Sequence, residues 1–256
     1  MQSKEGKCVV CLKPISNSFT CSNQCAGLLS QSSKEVKILR EQFNTPEKKK
    51  IREFLFKQIP ELPFEKTPLG CNILDFWGGG LFSDYIIDQS ITVKNHCDDV
   101  NLYELDSNKK LWPALRKYAL IKNQDSLVQN QNITVIPYCG SLAEFVHKMT
   151  VKNHVSFDLI WLDYCGTYQN LREDTEFVKK ISTPKTLIAV TVCRWADDAI
   201  DKRHREKDMG MIISDYLPLH RKIYEKYYTK KGNMIFNVFR ASSKLLKQKW
   251  TTQLYG

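Results

Sequence analysis

Short apolar runs alternate with longer amphipathic stretches, and this alternation predicts strands separated by helices. Five apolar runs are typical of buried strands: NILDF, VNLYELD, NITVIPYC, FDLIWLD and TLIAVTVC. Two further strand-like runs, in IYEKYY and MIFNVF, flank Lys231-Gly232-Asn233, which favours a hairpin turn. The order of these runs predicts an α/β domain whose strands are connected by helices and which ends in an antiparallel hairpin.

The first 68 residues follow a different pattern. A cysteine-rich segment is followed by a charged, largely helical stretch at 27–59, with an expected break at Asn44-Thr45-Pro46 where Thr45 caps the next helix. Pro60, Pro63 and Pro68 then indicate a linker. We therefore divide the chain into a cysteine-rich module at 1–30, a helical linker region at 31–68 and an α/β domain at 69–256.

The cysteine-rich segment reads CVVCLKPISNSFTCSNQC, with two cysteine pairs nine residues apart. Four thiolates in two close pairs suit a tetrahedral Zn²⁺ ion, and all four positions are protein ligands, so we expect a structural site. The spacing resembles the treble-clef zinc knuckles found on nucleic-acid enzymes. The expected ligands are Cys8, Cys11, Cys21 and Cys25.

The chain has 256 residues and a net charge of +10, and the charge is concentrated near its end. Between Lys202 and Lys249 there are thirteen Lys or Arg and four Asp or Glu. Such a surplus indicates a polyanionic partner, with nucleic acid as the first candidate, although a lysine-rich solvated surface gives the same composition. The absence of a signal-like apolar core at the amino terminus and of any bilayer-spanning run predicts an intracellular protein, cytoplasmic or nuclear, without membrane contact.

A strand that ends at Asp75 and Phe76 runs into Trp77 and three glycines, Gly78, Gly79 and Gly80. Consecutive glycines let the backbone approach a ligand closely. The next strand carries Glu104 near its tip, where an acid can accept hydrogen bonds from ribose hydroxyls. These features fit two doubly wound families, nicotinamide enzymes and S-adenosylmethionine methyltransferases.

The terminal hairpin favours the second family. With this hairpin, the chain over residues 72–240 resembles class I methyltransferases. The resemblance implies a seven-stranded, doubly wound, mostly parallel sheet that binds S-adenosylmethionine. It also implies the cofactor contacts, which are Asp75, Trp77, Gly78, Gly79, Gly80, Glu104, Ser141 and Asp163.

The tip of the fourth strand, Asp163-Tyr164-Cys165-Gly166, occupies the expected acceptor slot. In the methyltransferases of exocyclic base amines that it resembles, this slot accepts the hydrogens of the amine. We therefore expect Asp163 to orient the amine and Tyr164 or Tyr168 to stack on the base. A rival chemistry is thiolate attack on a pyrimidine, for which Cys165 or Cys193 is the candidate nucleophile.

These features predict a methyltransferase acting on RNA or DNA, most directly on an exocyclic base amine. Residues 194–216 form a long connection after the fifth predicted strand. Within this connection, Lys202, Arg203 and Arg205 are the residues expected to contact phosphate. Two alternatives remain: a methyltransferase for a protein or small molecule, and an inactive nucleic-acid-binding subunit that works with a protein partner.

Overall fold

A computed structural model describes residues 5–16, 18–58, 70–89, 99–129, 131–152, 155–164, 168–193, 217, 220–228 and 234–241. Its strands are β1 (Glu5–Lys7), β2 (Pro14–Ser16), β3 (Cys71–Phe76), β4 (Val100–Asp106), β5 (Ile133–Cys139), β6 (Phe157–Asp163), β7 (Ser182–Cys193), β8 (His220–Tyr228) and β9 (Met234–Ala241). Its helices are α1 (Asn23–Phe43), α2 (Pro46–Gln58), α3 (Leu81–Asp88), α4 (Trp112–Val128), α5 (Leu142–Lys152) and α6 (Tyr168–Ile181).

Seven strands form one sheet in the order β5-β4-β3-β6-β7-β9-β8. The first five strands are parallel, whereas β9 runs antiparallel to both β7 and β8. The predicted seven-stranded sheet with a terminal antiparallel hairpin is therefore confirmed. The chain order reverses between β3 and β6, and this reversal opens a crevice at the carboxyl ends of the strands.

Helices cover both faces of the sheet because successive strand residues point to opposite sides. Ile73 packs with α2, α3 and part of α4 in one apolar cluster, whereas its neighbour Leu74 packs with α5 and α6 in another. Both residues are almost fully buried. The sheet is therefore doubly wound. None of the described helices has an apolar stretch long enough to cross a membrane.

The amino-terminal segment forms the small β1–β2 sheet and then α1 and α2. The predicted break between the two helices is confirmed, since α1 ends at Phe43 and α2 begins at Pro46. The hydroxyl of Thr45 accepts a hydrogen bond from the backbone N–H of Lys48 at 3.2 Å, as expected for a capping residue. Helix α1 runs continuously from the cysteine motif to the crevice of the main sheet.

The turn between β3 and α3 requires glycine for steric reasons. Gly80 has φ of 75°, and a Cβ atom there would lie 2.7 Å from the ring of Tyr118. That ring is held in place because its hydroxyl donates to Gly80 O at 3.2 Å and to Asp84 at 3.0 Å. The turn therefore depends on the missing side chain.

We expect Gly80→Ala to lower the free energy of unfolding by about 2 kcal/mol, through strain at positive φ and the clash with Tyr118. The matched control is Gly27→Ala in α1, where a Cβ atom meets nothing within 4 Å. This control should stabilise the protein by up to about 1 kcal/mol. Urea denaturation followed by circular dichroism measures both, and equal effects of the two substitutions would contradict the steric account.

Candidate active site

A cavity of about 490 Å³ lies at the carboxyl ends of the parallel strands. Its walls come from segments that are far apart in sequence: α1, the loop after β3, the ends of β4 and β6, the start of α5, and α6. The volume is in the range of small-molecule sites. The lining residues include Leu39, Phe43, Phe76, Trp77, Gly78, Asp106, Ser141, Asp163, Tyr164 and Asp174.

The lining is acidic. Asp106, Asp163, Glu173 and Asp174 contribute to it, and no Lys, Arg or His does so within the described part of the chain. Carboxylates around a partly enclosed cavity favour a cationic ligand, because the surrounding protein weakens screening by water. A sulfonium and an ammonium group on one ligand match this distribution of charge.

The two acids of β4 occupy different environments. Glu104 is fully buried beneath α3, where it accepts a hydrogen bond from the hydroxyl of Ser83, and it does not line the cavity. Burial, opposed by the Ser83 bond, raises the pKa of Glu104 to about 8, so this carboxyl is mostly protonated at neutral pH. Asp106, at the strand's end, does line the cavity.

Asp106 is held by its own loop. One carboxylate oxygen accepts the backbone N–H of Asn108 at 2.7 Å, and its carbonyl accepts the N–H of Gly140 at 3.0 Å. Partial burial raises the pKa of Asp106 to about 6, although the Asn108 bond opposes this shift. The side chain is therefore mostly ionised at neutral pH and able to accept hydrogen bonds.

The three glycines after β3 are divided between two environments. Gly78 lines the cavity, whereas Gly79 and Gly80 are covered by other side chains. Arg40 of α1 donates to Gly79 O at 2.8 Å and to Asp84 at 2.6 Å, which fixes α1 across the loop. The open backbone expected at all three glycines is therefore present only at Gly78.

A buried ion pair joins α2 to the tip of β6. The ammonium of Lys48 contacts Oδ2 of Asp163, and the two side chains are only 7% and 9% exposed. The same ammonium lies 4.2 Å from the ring centre of Phe43, in cation–π geometry. The second oxygen of Asp163, Oδ1, is buried and has no hydrogen-bond partner among the described residues.

Two more charged side chains lie beside this pair, in a narrow cleft next to the cavity. Arg52 of α2 donates to Phe43 O at 3.3 Å and to the side chain of Asn44 at 3.1 Å. Asp75 is buried, and within the described part of the chain its Oδ1 has no hydrogen-bond partner. Burial raises the pKa of Asp75 well above its ordinary value, and repulsion from Glu104 and Asp163 adds to this. Asp75 therefore faces the cleft and not the main cavity.

Tyr164 and Trp77 are wall residues. The Tyr164 hydroxyl donates to Asp174 at 2.5 Å, and its ring packs edge-on against Phe76. The ring is only 6% exposed, so it is held by the protein and is not positioned to stack on a base. Trp77 is similarly buried, and none of the residues that the structure describes accepts a hydrogen bond from its indole N–H. An unpaired donor at the cavity wall leaves a hydrogen bond for a ligand to make.

Ser141 caps α5 at the far end of the cavity. Its hydroxyl accepts the N–H of Glu144 at 3.2 Å, and Glu144 accepts the N–H of Ser141 at 2.8 Å, which forms a capping box. With Gly140 and Leu142, Ser141 forms a small, largely uncharged end wall. A flat heterocycle fits such a wall better than a charged group does.

The four cysteines of the amino-terminal motif come together as predicted. Their sulfur atoms all lie within 4.8 Å of one another, with 3.3 Å between Cys11 and Cys21 and 3.7 Å between Cys21 and Cys25. Tetrahedral zinc–thiolate geometry places sulfurs about 3.8 Å apart. Burial disfavours the Cys8 thiolate, but hydrogen bonds from the N–H groups of Cys11, Val10 and Cys21 lower its pKa to about 6. The cluster is therefore suited to a metal ion.

Several predicted residues fall outside the described part of the chain. These are the candidate nucleophile Cys165 and the phosphate contacts Lys202, Arg203 and Arg205. For Cys193 the backbone at the end of β7 is described, but the side chain is not. The thiol chemistry and the basic insertion at 194–216 therefore stay predictions.

Sequence reasoning missed the contribution of the amino-terminal helices. The sequence places Phe43, Lys48 and Arg52 in a linker region, yet they close the side of the crevice next to Asp163. The burial of Lys48 and Arg52 had no local signal, because charged residues in a helix normally face water. Asp106 had a signal, since it is the last residue of a predicted strand and strand tips form ligand sites.

No protein-family model and no curated protein matches the sequence. Solved structures do resemble it. An O-methyltransferase from Bacillus cereus in complex with SAH is 15% identical with a TM-score of 0.51, covering 84% of this chain and 90% of its own. The methyltransferase CcbJ from Streptomyces caelestis is 9% identical with a TM-score of 0.47, covering 75% and 89%.

At 15% identity, the comparison with the B. cereus structure, together with the strand order, shows the fold alone. The chain has a Rossmann-like α/β fold, which it shares with this O-methyltransferase.

Replacing the buried Lys48 measures how much its ion pair with Asp163 contributes to the free energy of unfolding. We expect Lys48→Met to lower the free energy of unfolding by roughly 3–5 kcal/mol, because it leaves the Asp163 carboxylate buried without a partner. Adding Asp163→Asn should recover part of this loss, which a double-mutant cycle in urea measures. The control is Lys222→Met, which breaks an exposed pair with Glu225 and should cost under about 1 kcal/mol. Strictly additive effects at 48 and 163 would contradict direct pairing.

Proposed function

We propose that the protein is an S-adenosylmethionine-dependent methyltransferase that acts on nucleic acid. The observation that carries this proposal is the acidic cavity at the switch point of the sheet, where Asp106 and Asp163 end β4 and β6. S-adenosylmethionine supplies an electrophilic methyl group on a sulfonium. The chain's part is to orient the donor and acceptor toward each other.

Asp106 is the residue that we assign to the ribose hydroxyls. It lies at the cavity and has carboxylate character at neutral pH, whereas Glu104 is enclosed under α3. Ser141 and Leu142 would border the adenine ring, and the indole N–H of Trp77 is available to a polar group of the ligand.

Asp163 is the residue that we assign to the acceptor. Its Oδ2 is held by Lys48, which leaves the unpaired Oδ1 to accept a hydrogen from an amino group. An amine oriented in this way turns its lone pair away from the carboxylate. The net charge of +10 supports a nucleic acid as the molecule that carries this amine.

We further propose that the cysteine cluster holds a structural zinc ion. Four sulfur ligands fill a tetrahedral coordination shell, so no position remains for catalysis. Cys25 belongs to the first turn of α1, whose hydroxyl cap is Ser22. The metal would therefore fix the start of a helix whose end lines the cavity.

A second function is favoured by one contact. The Lys48 ammonium occupies Oδ2 of Asp163, on the carboxylate that an acceptor amine would use. If neutralisation by Lys48 leaves Oδ1 of Asp163 too weak an acceptor to orient an amine, the protein binds cofactor or nucleic acid without transferring a methyl group. This is the inactive-subunit alternative, and turnover distinguishes it from the enzyme.

The first test is cofactor binding by calorimetry at pH 7.5. We expect Asp106→Asn to weaken binding of S-adenosylhomocysteine about tenfold or more, because charged hydrogen bonds to the ribose are lost. Wild-type affinity should also fall as the pH drops below about 6, where Asp106 is protonated. Glu104→Gln is the control, since it resembles the protonated carboxyl and should change affinity less than twofold. The reverse ranking would refute the Asp106 assignment.

The same experiment continues with turnover. Protein, labelled cofactor and either total RNA or genomic DNA are incubated, and methylated nucleosides are identified by mass spectrometry. Asp163→Ala should abolish the label, and the identity of the nucleoside distinguishes RNA from DNA. Cofactor binding without any methylated nucleoside would favour the inactive subunit. Transfer to protein or small molecules alone would refute the substrate assignment.

Elemental analysis should find one zinc ion per chain. Removal with a strong chelator should unfold the segment around the cysteines, because so small a module has little apolar core of its own. Cys21→Ser should give the same loss, whereas Cys139→Ser, at the end of β5, should leave zinc content unchanged. A metal-free protein with a folded amino terminus would exclude the site.

A further inference from the structure

A groove runs between the cysteine module and the outer face of α4. We name it the knuckle groove; its volume is about 970 Å³, and its lining includes Lys7, Phe19, Arg116, Leu120, Asn123 and Gln124. A smaller hollow lies on the other side of Phe19, lined by Thr20, Ser30, Ser33 and Lys117 among others. The assigned cofactor and metal sites use none of these side chains.

The charge of this surface is of one sign. Lys7, Arg116 and Lys117 contribute three cations, and no Asp or Glu is among the described residues that line either the groove or the hollow. The hollow adds the hydroxyls of Thr20 and Ser30. Cations together with hydroxyl donors are the usual partners of phosphate oxygens.

Phe19 lies at the boundary of the two spaces and lines both. Its side chain is 36% exposed, and the ammonium of Lys117 lies 5.0 Å from its ring centre. A partly exposed aromatic ring with a cation beside it is a platform on which an unpaired base can stack.

The groove is also held rigidly. The guanidinium of Arg116 donates to Val9 O at 3.0 Å, which attaches the cysteine module to α4. The amide of Asn123 pairs with both the N–H and the C=O of Val135 on the edge strand β5, at 2.7 and 3.0 Å. Because these edge groups are already paired, an extended peptide cannot add to the sheet at this point.

We propose that the knuckle groove binds single-stranded nucleic acid. Phosphates lie along Lys7, Arg116 and Lys117, and one base stacks on Phe19. This inference rests on the proposed nucleic-acid substrate and gives it a docking surface separate from the predicted contacts at Lys202, Arg203 and Arg205. Pro137 of β5 lines the groove, and Gly140, three residues further along, lines the cofactor cavity. A strand bound in the groove therefore passes close to the crevice.

Fluorescence anisotropy of the full-length, zinc-loaded protein tests the proposal. The probes are labelled 12-nucleotide single strands of RNA and of DNA with the same sequence, together with the corresponding duplexes. We expect single strands to bind more tightly than duplexes, and Lys7→Glu/Lys117→Glu to weaken that binding at least tenfold. The salt slope, log affinity against log salt, should become shallower by about 1.4, as expected for two lost phosphate contacts. Phe19→Ala should weaken binding at least fivefold.

The matched control is Lys49→Glu/Lys50→Glu, which changes the charge equally on the exposed side of α2 and should alter affinity less than twofold. Because Lys7 adjoins a cysteine ligand, zinc content is measured for each variant. Lys117→Glu alone, on the rigid helix α4, should still weaken binding at least threefold.

Equal loss in the control and groove variants would overturn the proposal, as would competition by a poly-glutamate peptide as strong as that by the oligonucleotide. Cofactor affinity, measured on the same variants, should stay within twofold of wild type. If groove variants bind oligonucleotides normally while wild type methylates nucleic acid, the groove proposal fails and the proposed function stands. If wild type binds no oligonucleotide, both fail.

Discussion

The buried pair of Lys48 and Asp163 is the interaction on which the arrangement of the crevice depends. It joins α2, from the amino-terminal segment, to the tip of a central parallel strand, and both side chains are almost fully removed from water. Two buried charges are tolerated because each neutralises the other. The contact fixes one oxygen of Asp163, and the other oxygen has no hydrogen-bond partner among the described residues. This carboxylate therefore lines the cavity and also offers an acceptor to a ligand.

Helix α1 connects the crevice to the amino-terminal cysteine cluster. It starts in the cysteine cluster, crosses the glycine turn where Arg40 bonds to Gly79 O, and ends with Phe43 in the cavity wall. The amino-terminal module is therefore part of the construction of the crevice. A metal in the cluster would act on the cavity through a single continuous helix.

The cavity and the knuckle groove carry charges of opposite sign. The described lining of the cavity is acidic, which suits a cationic ligand, whereas the described lining of the knuckle groove and the adjoining hollow together has three cations and no acid. A polyanion and a sulfonium can thus be held on one protein without competing for the same surface. Such a separation is consistent with the proposed methyltransferase, in which the groove would hold the strand of the substrate while its acceptor amine enters the cavity.

The sequence by itself determined the sheet and the cysteine cluster. Strand periodicity, the hairpin signal at Lys231-Gly232-Asn233 and the cysteine spacing are local patterns, and each predicts structure without knowledge of distant residues. Only the tertiary structure decided that Asp106, and not Glu104, lies at the cavity, and that Lys48 is buried against Asp163. The burial of a charge depends on what packs over it from elsewhere in the chain, and no local pattern carries that information.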